Sequence, residues 1–487
     1  MDKTKIYGIT FDERDPVGGE KRVFDAAGLE NDYVVGETFQ KNGGRNDFDD
    51  AYPFGAMRLC CVKMVNGEKK VIYADQPGFS RDGSAGNVMV EIPKFYALRK
   101  KEGRVETWAV SGTPHSGFAL EPAFLRGGKE LDAVYVGVYN AAARDGVFSS
   151  SGPLPDIGKG SAEYRPEITS TGFDTYDLAI HLMLQRLMVI EMGSRQLKPM
   201  LGGVNFLTYF SGKGERLRIL STEKNLIRVL PYHRLRYFAP GHEVGLGHTE
   251  HVTPLHRTIE EIRSEPDAIL IRYGGEDVSD QLVIGEDCAF GMPQPGGQSD
   301  VLTYHTGRVD LRPNLLTIEE RNTFGPLVCP FRYRWIENVW GNMWENLAGL
   351  KVCGLRYRYT FDPDQYDSDS AAWAEAPFPA PEQPYLANKA EKIWTEEMGR
   401  DPASPLLMLP ASLHENNVAD RYYTGAFYAY GKINYSGNPV DPDRVWSVAV
   451  GSGFDHTIFG SLFTYRCFLT ETSRGWLYGD RVCLRKA

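Results

Sequence analysis

The densest group of metal-capable side chains is His242, His248, His251 and His256, with Glu243 and Glu250 beside them. Imidazole suits zinc or iron, yet the spacing matches no two-histidine helical motif, and the Gly and Pro residues in between point to loops. Solvated loop histidines are the commoner meaning of such a run, so no metal and no cofactor is assigned. Asp362, Asp364, Asp367 and Asp369 could surround a hard cation, which takes several carboxylate oxygens. That stretch lacks the Gly and the closing Glu of an EF-hand loop and reads as an acidic surface loop. No GxSxG elbow, Walker A run or dinucleotide fingerprint occurs, and Gly202-Gly203 and Gly296-Gly297 read as turns. Carboxylate pairs of glycosidase type stay open, because their separation is a tertiary property. The most informative run is Trp335 to Glu345. Here Trp340, Gly341, Asn342, Trp344 and Glu345 read as structural: the rings pack, Asn342 satisfies backbone groups, and Glu345 fixes a loop.

The elements that must position these residues are mostly strands. Asn66-Gly67 sits between two extended runs, and that pair tolerates the positive φ angles of a type I′ hairpin turn. Val88 to Tyr96 alternates until Pro93, and Leu125 to Tyr139 reads as a turn followed by a strand. Residues 1–150 are therefore expected to form a β-rich N-terminal domain. The Gly-, Ser- and Pro-rich stretch 146–166 reads as a linker or long surface loop. A helix is expected at 175–192, with Thr171 or Thr175 as cap, Asp174 and Asp177 in its first turn and Gly193 at its end; its body is apolar on most sides, as in a buried helix. Strand-like text returns at 215–275, which reads as a small inserted β domain. Residues 361–384, rich in Asp and Pro, read as a long surface excursion.

Composition bounds the function. The chain has 487 residues, enough for two or three domains, and 12% are aromatic, with 51 Gly and 29 Pro favouring strands and turns. A net charge of -10 lacks the basic footprint of nucleic-acid binders. No run approaches the ~18 apolar residues that span a bilayer, and the opening residues have no signal-peptide core. The expectation is a soluble chain made in a cytosol, without membrane insertion. Seven cysteines without a CxxC pair indicate neither a disulfide scaffold nor a zinc ribbon.

Gly341-Asn342-Met343-Trp344-Glu345 resembles the GNVWEW-type signature of the C-type-lectin-like fold, as found in formylglycine-generating enzymes and in the variable proteins of diversity-generating retroelements. Val450 to Phe454 and Tyr478 to Cys483 are similar to the fold's closing Gly-Gly-Ser-aromatic and Gly-x-Arg strands, and the helix at 175–192 matches its first helix. Ala51–Met57, Val88–Tyr96 and Glu121–Leu125 look like the front half of phage tail and prophage structural proteins that carry such a domain. The resemblance implies an α+β, β-rich fold: an N-terminal β domain (1–150), then a C-type-lectin-like domain (165–214 and 276–487) carrying the β insertion. The oxidase branch needs paired cysteines after the Gly-Ser-aromatic element, but none lies between Cys353 and Cys467, and the iron-binding branch needs three histidines where only His414 and His456 occur. Catalysis by either route is not expected.

What the resemblance implies instead is a phage tail-tip adhesin. It would be synthesised in the bacterial host's cytoplasm and carried on the virion, as a homo-oligomer such as a trimer, beside other tail proteins. Its loops 451–479 would bind a bacterial surface receptor, protein or glycan, and could be diversified. The expected ligand-binding residues are Phe454, Asp455, His456, Phe459, Tyr465, Arg466, Thr472, Arg474 and Trp476. The alternatives are a structural tail or baseplate subunit and a glycan-degrading tail enzyme.

Overall fold

The computed structural model describes residues 1–12, 19–31, 46–153, 155–156, 159–197, 216–230, 240–241, 243–247, 255–291, 332–382, 385–386, 389–390, 394–414, 427–429, 441, 443–451, 461–473 and 478–486. The first strands are β1 (Ile6–Asp12), β2 (Lys21–Phe24), β3 (Arg58–Val65), β4 (Glu68–Tyr73), β5 (Asn87–Pro93), β6 (Tyr96–Glu102), β7 (Val105–Ser111), β8 (Ala119–Leu120) and β9 (Ala133–Gly137). Asn66 (φ 53°) and Gly67 (φ 80°) make the β3–β4 turn, as the sequence requires. Then come helix α1 (Ser161–Thr169), β10 (Asp174–Thr175) and helix α2 (Leu178–Met192). The fold is β-rich α+β.

α2 starts three residues later than expected. Asp177, not a threonine, caps it by accepting from the Ile180 N–H at 2.9 Å, while Asp174 and Thr175 are drawn into β10. Gly193 ends the helix at φ 72°, the left-handed conformation that suits glycine. Every residue of α2 is buried, and it packs against β1 and β7. Its polar side chains find partners in distant segments: Arg186 pairs with Glu121, and Glu191 receives Arg334 at 2.7 Å.

The segment expected to be a linker or long surface loop is partly built into the body. Phe148, Ser149 and Ser150 are buried, the Phe148 and Ser149 N–H groups donate to Asn87 Oδ1, and 161–169 forms α1 with Pro166 inside it. Serine and glycine mark flexible chain only where nothing covers them, and here β5 supplies the acceptors.

A closed barrel follows, made of β11 (Arg216–Glu223), β12 (Leu226–Val229), β13 (Glu243–Gly247), β14 (Leu255–Ser264), β15 (Ile269–Tyr273) and β16 (Cys288–Gly291), in the order β11-β12-β15-β14-β13-β16. It encloses its own core of Leu217, Ile219, Ile227, Val229, Val244, Leu246, Ile259, Ile269 and Ile271. The insertion therefore extends beyond 275, because β16 closes the ring. Its entering and leaving strands are neighbours, with Arg216 opposite Phe290.

Among the strands that follow, the larger sheets use β17 (Trp344–Cys353), β18 (Arg356–Tyr359), β19 (Ala374–Pro379), β20 (Phe427–Ala429), β21 (Val445–Val450), β22 (Tyr465–Leu469), β23 (Tyr478–Gly479) and β24 (Val482–Leu484). One sheet runs β19-β18-β17-β21-β22-β20, with β23 parallel to β17. The excursion at 361–384 is thus partly sheet: β19 pairs with β18, and Tyr366 is buried. A second sheet runs β10-β24-β9-β5-β3-β4, and a third β2-β1-β7-β6-β8. The last strand of the chain therefore lies among N-terminal strands, and one core cluster extends from Tyr7 to Cys483. Residues 1–150 do not keep a core to themselves.

Candidate functional site

The chain turns repeatedly before β17, with Arg334, Trp335, Asn338 and Asn342 at positive φ, and Trp340 and Trp344 are buried. Glu345 Oε1 accepts from Asn140 Nδ2 at 2.8 Å and from Arg481 Nε at 2.8 Å, and Asn342 Nδ2 donates to Asn140 Oδ1 at 2.9 Å. Arg481 also donates to the carbonyls of Gly137, Val138, Glu337 and Asn338 at 2.9–3.1 Å. Glu345 lies opposite Gly479 in the parallel pairing, and Asn346 Nδ2 donates to the Gly479 carbonyl at 3.0 Å. The Gly-Asn-Met-Trp-Glu run and the Gly-Asp-Arg run, far apart in sequence, are thus one buried network. Burial pushes the Glu345 carboxyl up, and Arg481 opposes it.

The expected ligand-binding residues separate. Phe454, Asp455, His456, Phe459, Arg474 and Trp476 lie outside the described residues. Tyr465 is fully buried: its hydroxyl accepts from Gln185 Nε2 at 3.0 Å and its ring meets His181 edge-on. It is core rather than displayed surface, because strand alternation turns it toward α2 with Cys467. Arg466 points to the opposite face, its guanidinium 4.7 Å from the Phe468 ring, 5.3 Å from Tyr478 and 5.5 Å from Trp344. Thr472 is exposed.

Thr472 stands at the mouth of a cleft between α1, the β17–β21 face and the turn at 366–373. Its inner part, about 210 Å³, touches Arg165, Lys351, Ser447, Glu471 and Asp480, and its outer part of about 490 Å³ reaches Asp369 and Thr472. Lys351 Nζ donates to Ser447 Oγ at 3.0 Å and pairs with Glu471, and Arg165 reaches Asp367. The Glu471 main chain is tied to α1, whose Ala162 N–H donates to its carbonyl at 3.0 Å. Trp373 forms one wall, with its Nε1 engaged by Gln365 O and Ser368 Oγ. Lys351 holds the Glu471 carboxyl below the ordinary glutamate range, whereas burial holds that of Asp480 well above the aspartate range. The two carboxyls of one cleft are therefore shifted in opposite directions.

Sequence reasoning missed Arg165, Lys351, Ser447, Glu471 and Asp480. A signal existed for Lys351, a lone cation in the apolar strand Leu347 to Val352, where a charge needs a partner. Of the acidic run, Asp362 and Asp369 cap short helical turns and Asp364 pairs with Arg126 at 2.8 Å. His242, His248 and His251 lie outside the described residues. Among the described residues, no group of three or more His, Cys, Asp or Glu side chains is placed to hold a metal. No described helix is long and apolar enough to cross a membrane. Neither a family model nor a curated protein matches the chain.

Proposed function

We propose that the chain is the receptor-binding protein of a phage tail tip. Its C-terminal part, a C-type-lectin-like scaffold, presents residues 451–479 and the adjoining cleft to a molecule on the bacterial surface. The observation that carries this reading is the Glu345–Arg481 network. It anchors the chain just after residue 479, and the Gly341 N–H donates to the Gly451 carbonyl at 3.0 Å at the other end, a scaffold on which side chains between the two can change without disturbing the packing beneath. A homo-oligomer such as a trimer, seated among other tail proteins, would multiply a weak contact at each site.

A second reading, a glycan-degrading tail enzyme, is favoured by the opposite shifts of the cleft's two carboxyls, since glycosidases set the pKa values of their two acids apart. The deciding experiment incubates labelled full-length protein with bacteria that carry the gene and with their relatives. Saturable attachment is expected. It should disappear when Phe454, Asp455, His456, Phe459, Arg474 and Trp476 are replaced together by Ala or Ser, with the circular-dichroism spectrum and Tm unchanged. Release of reducing ends from cell-wall glycans, lost in Glu471→Gln, would favour the enzyme. Absence of attachment to any strain would overturn the receptor reading.

A further inference from the structure

We infer that the cleft at Arg165, Lys351, Ser447, Glu471 and Asp480 is a subsite for one neutral sugar residue of a surface glycan. This deepens the receptor reading and rests on it. The argument begins with charge. Two cationic side chains mostly withdrawn from solvent, Arg165 (20% exposed) and Lys351 (13%), line the cleft. Each is met by a more exposed carboxylate, Asp367 (87%) and Glu471 (58%). The charges of these two pairs cancel, and the Asp480 carboxyl lies at the inner end, 2% exposed. An anionic ligand would gain two cations but meet two carboxylates and, deeper in, a third carboxyl group.

A hydroxyl-rich ligand meets no such conflict. Each hydroxyl both donates and accepts, so neighbouring hydroxyls can accept from Lys351 Nζ and donate to Glu471 Oε across a pair already in contact. Ser447 Oγ accepts from Lys351, which leaves its own proton for a ligand oxygen. Trp373, its N–H engaged elsewhere, offers a fixed apolar wall for the C–H face of a ring.

Size selects further. The inner cleft of about 210 Å³ is smaller than the ~300–1,000 Å³ of sites for drug-sized ligands, which suits a single ring. The wider outer part lets a chain continue past Thr472.

The test titrates methyl glycosides of glucose, galactose, mannose and N-acetylglucosamine into the full-length protein, read by saturation-transfer NMR, with inorganic phosphate as a separate probe. At least one glycoside is expected to bind, weakly because one ring is small. Lys351→Met and Glu471→Gln should each lower affinity about tenfold or more, at unchanged Tm. Ser447→Ala, the mildest change, guards against misfolding and should lower it less. No binding by any glycoside, binding indifferent to all three variants, or phosphate binding in place of sugar would each overturn the inference. Cell attachment is measured in parallel. Attachment without sugar binding refutes the subsite and spares the receptor reading, whereas sugar binding without attachment does the reverse.

Discussion

In the main body, Arg99–Glu106, Arg186–Glu121, Arg334–Glu191, Arg481–Glu345 and Arg485–Asp177 are sunk into the interior. On the barrel, the pairs of Arg228 with Glu223 and Glu265, and of Arg272 with Glu261, lie at the surface around an aliphatic core. The difference follows from connectivity. Barrel strands close on near neighbours in sequence, so periodicity and hydrogen bonding define the ring. The body instead joins segments as far apart as Asp177 and Arg485, 308 positions, and Arg99, Arg186, Arg481 and Arg485 also donate to backbone carbonyls of distant segments. A buried ion pair adds little net stability but is expensive to break from one side. Here it serves to specify which distant segments meet.

The largest expected effect comes from breaking one such pair. Arg481→Met strands the Glu345 carboxylate and four carbonyls and should cost about 3–5 kcal/mol, read from the shift in urea midpoint. Adding Glu345→Gln should return part of that loss. An unmoved midpoint in the single variant would remove the basis of the comparison.

Ile271→Ala in the barrel core should cost about 2–5 kcal/mol, but of barrel stability alone. None of the eight tryptophans falls between 216 and 291, so tryptophan fluorescence reports only the body. Amide exchange should accelerate in the barrel while the fluorescence transition stays in place. A shifted fluorescence transition would mean that the two regions unfold together.

His181, buried between the Tyr176 hydroxyl and Gln185, sharpens the contrast through pH. Burial lowers its pKa from 6.5 to about 3, so protonation favours the unfolded chain. Its contribution is complete above about pH 6.5 and is lost as pH falls toward 3. At pH 5 the loss amounts to about 2 kcal/mol, at ~1.4 kcal/mol per unit. His181→Gln should flatten the body's stability over this range and leave the barrel's profile unchanged, as paired denaturation curves at pH 5 and 7.5 would reveal.

The smallest effects belong to the barrel surface. Glu265→Gln should change stability only marginally, and the little it does change should fade in added salt. Replacing 216–291 by a short Gly-Ser linker should leave the fluorescence transition in place, because the entering and leaving strands are adjacent. An aggregated product would show that the barrel supports its host.

The sequence by itself determined what local chemistry can dictate. Asn66-Gly67 fixed a hairpin, the apolar run closed by Gly193 made a buried helix, and strand periodicity announced a β insertion. Its later boundary was hidden because β16 is only four residues, Cys288–Gly291, and takes its meaning from closing a ring. The tryptophans and Glu345 could be read as structural, but not their partner: nothing near Arg481 in the chain says that Glu345 waits 136 positions away.

The tertiary structure alone decided where charge is buried and where it lines a cleft. Tyr465 and Arg466 are adjacent and equally plausible as contacts, yet one enters the core and the other stacks on rings of the opposite face, because a strand turns successive side chains to opposite sides. Lys351, Ser447, Glu471 and Asp480 became a site only when β17, β21 and the terminal turn were set beside α1. Sequence fixes which residues can pair; the long-range packing that selects one pairing among many is a property of the whole fold.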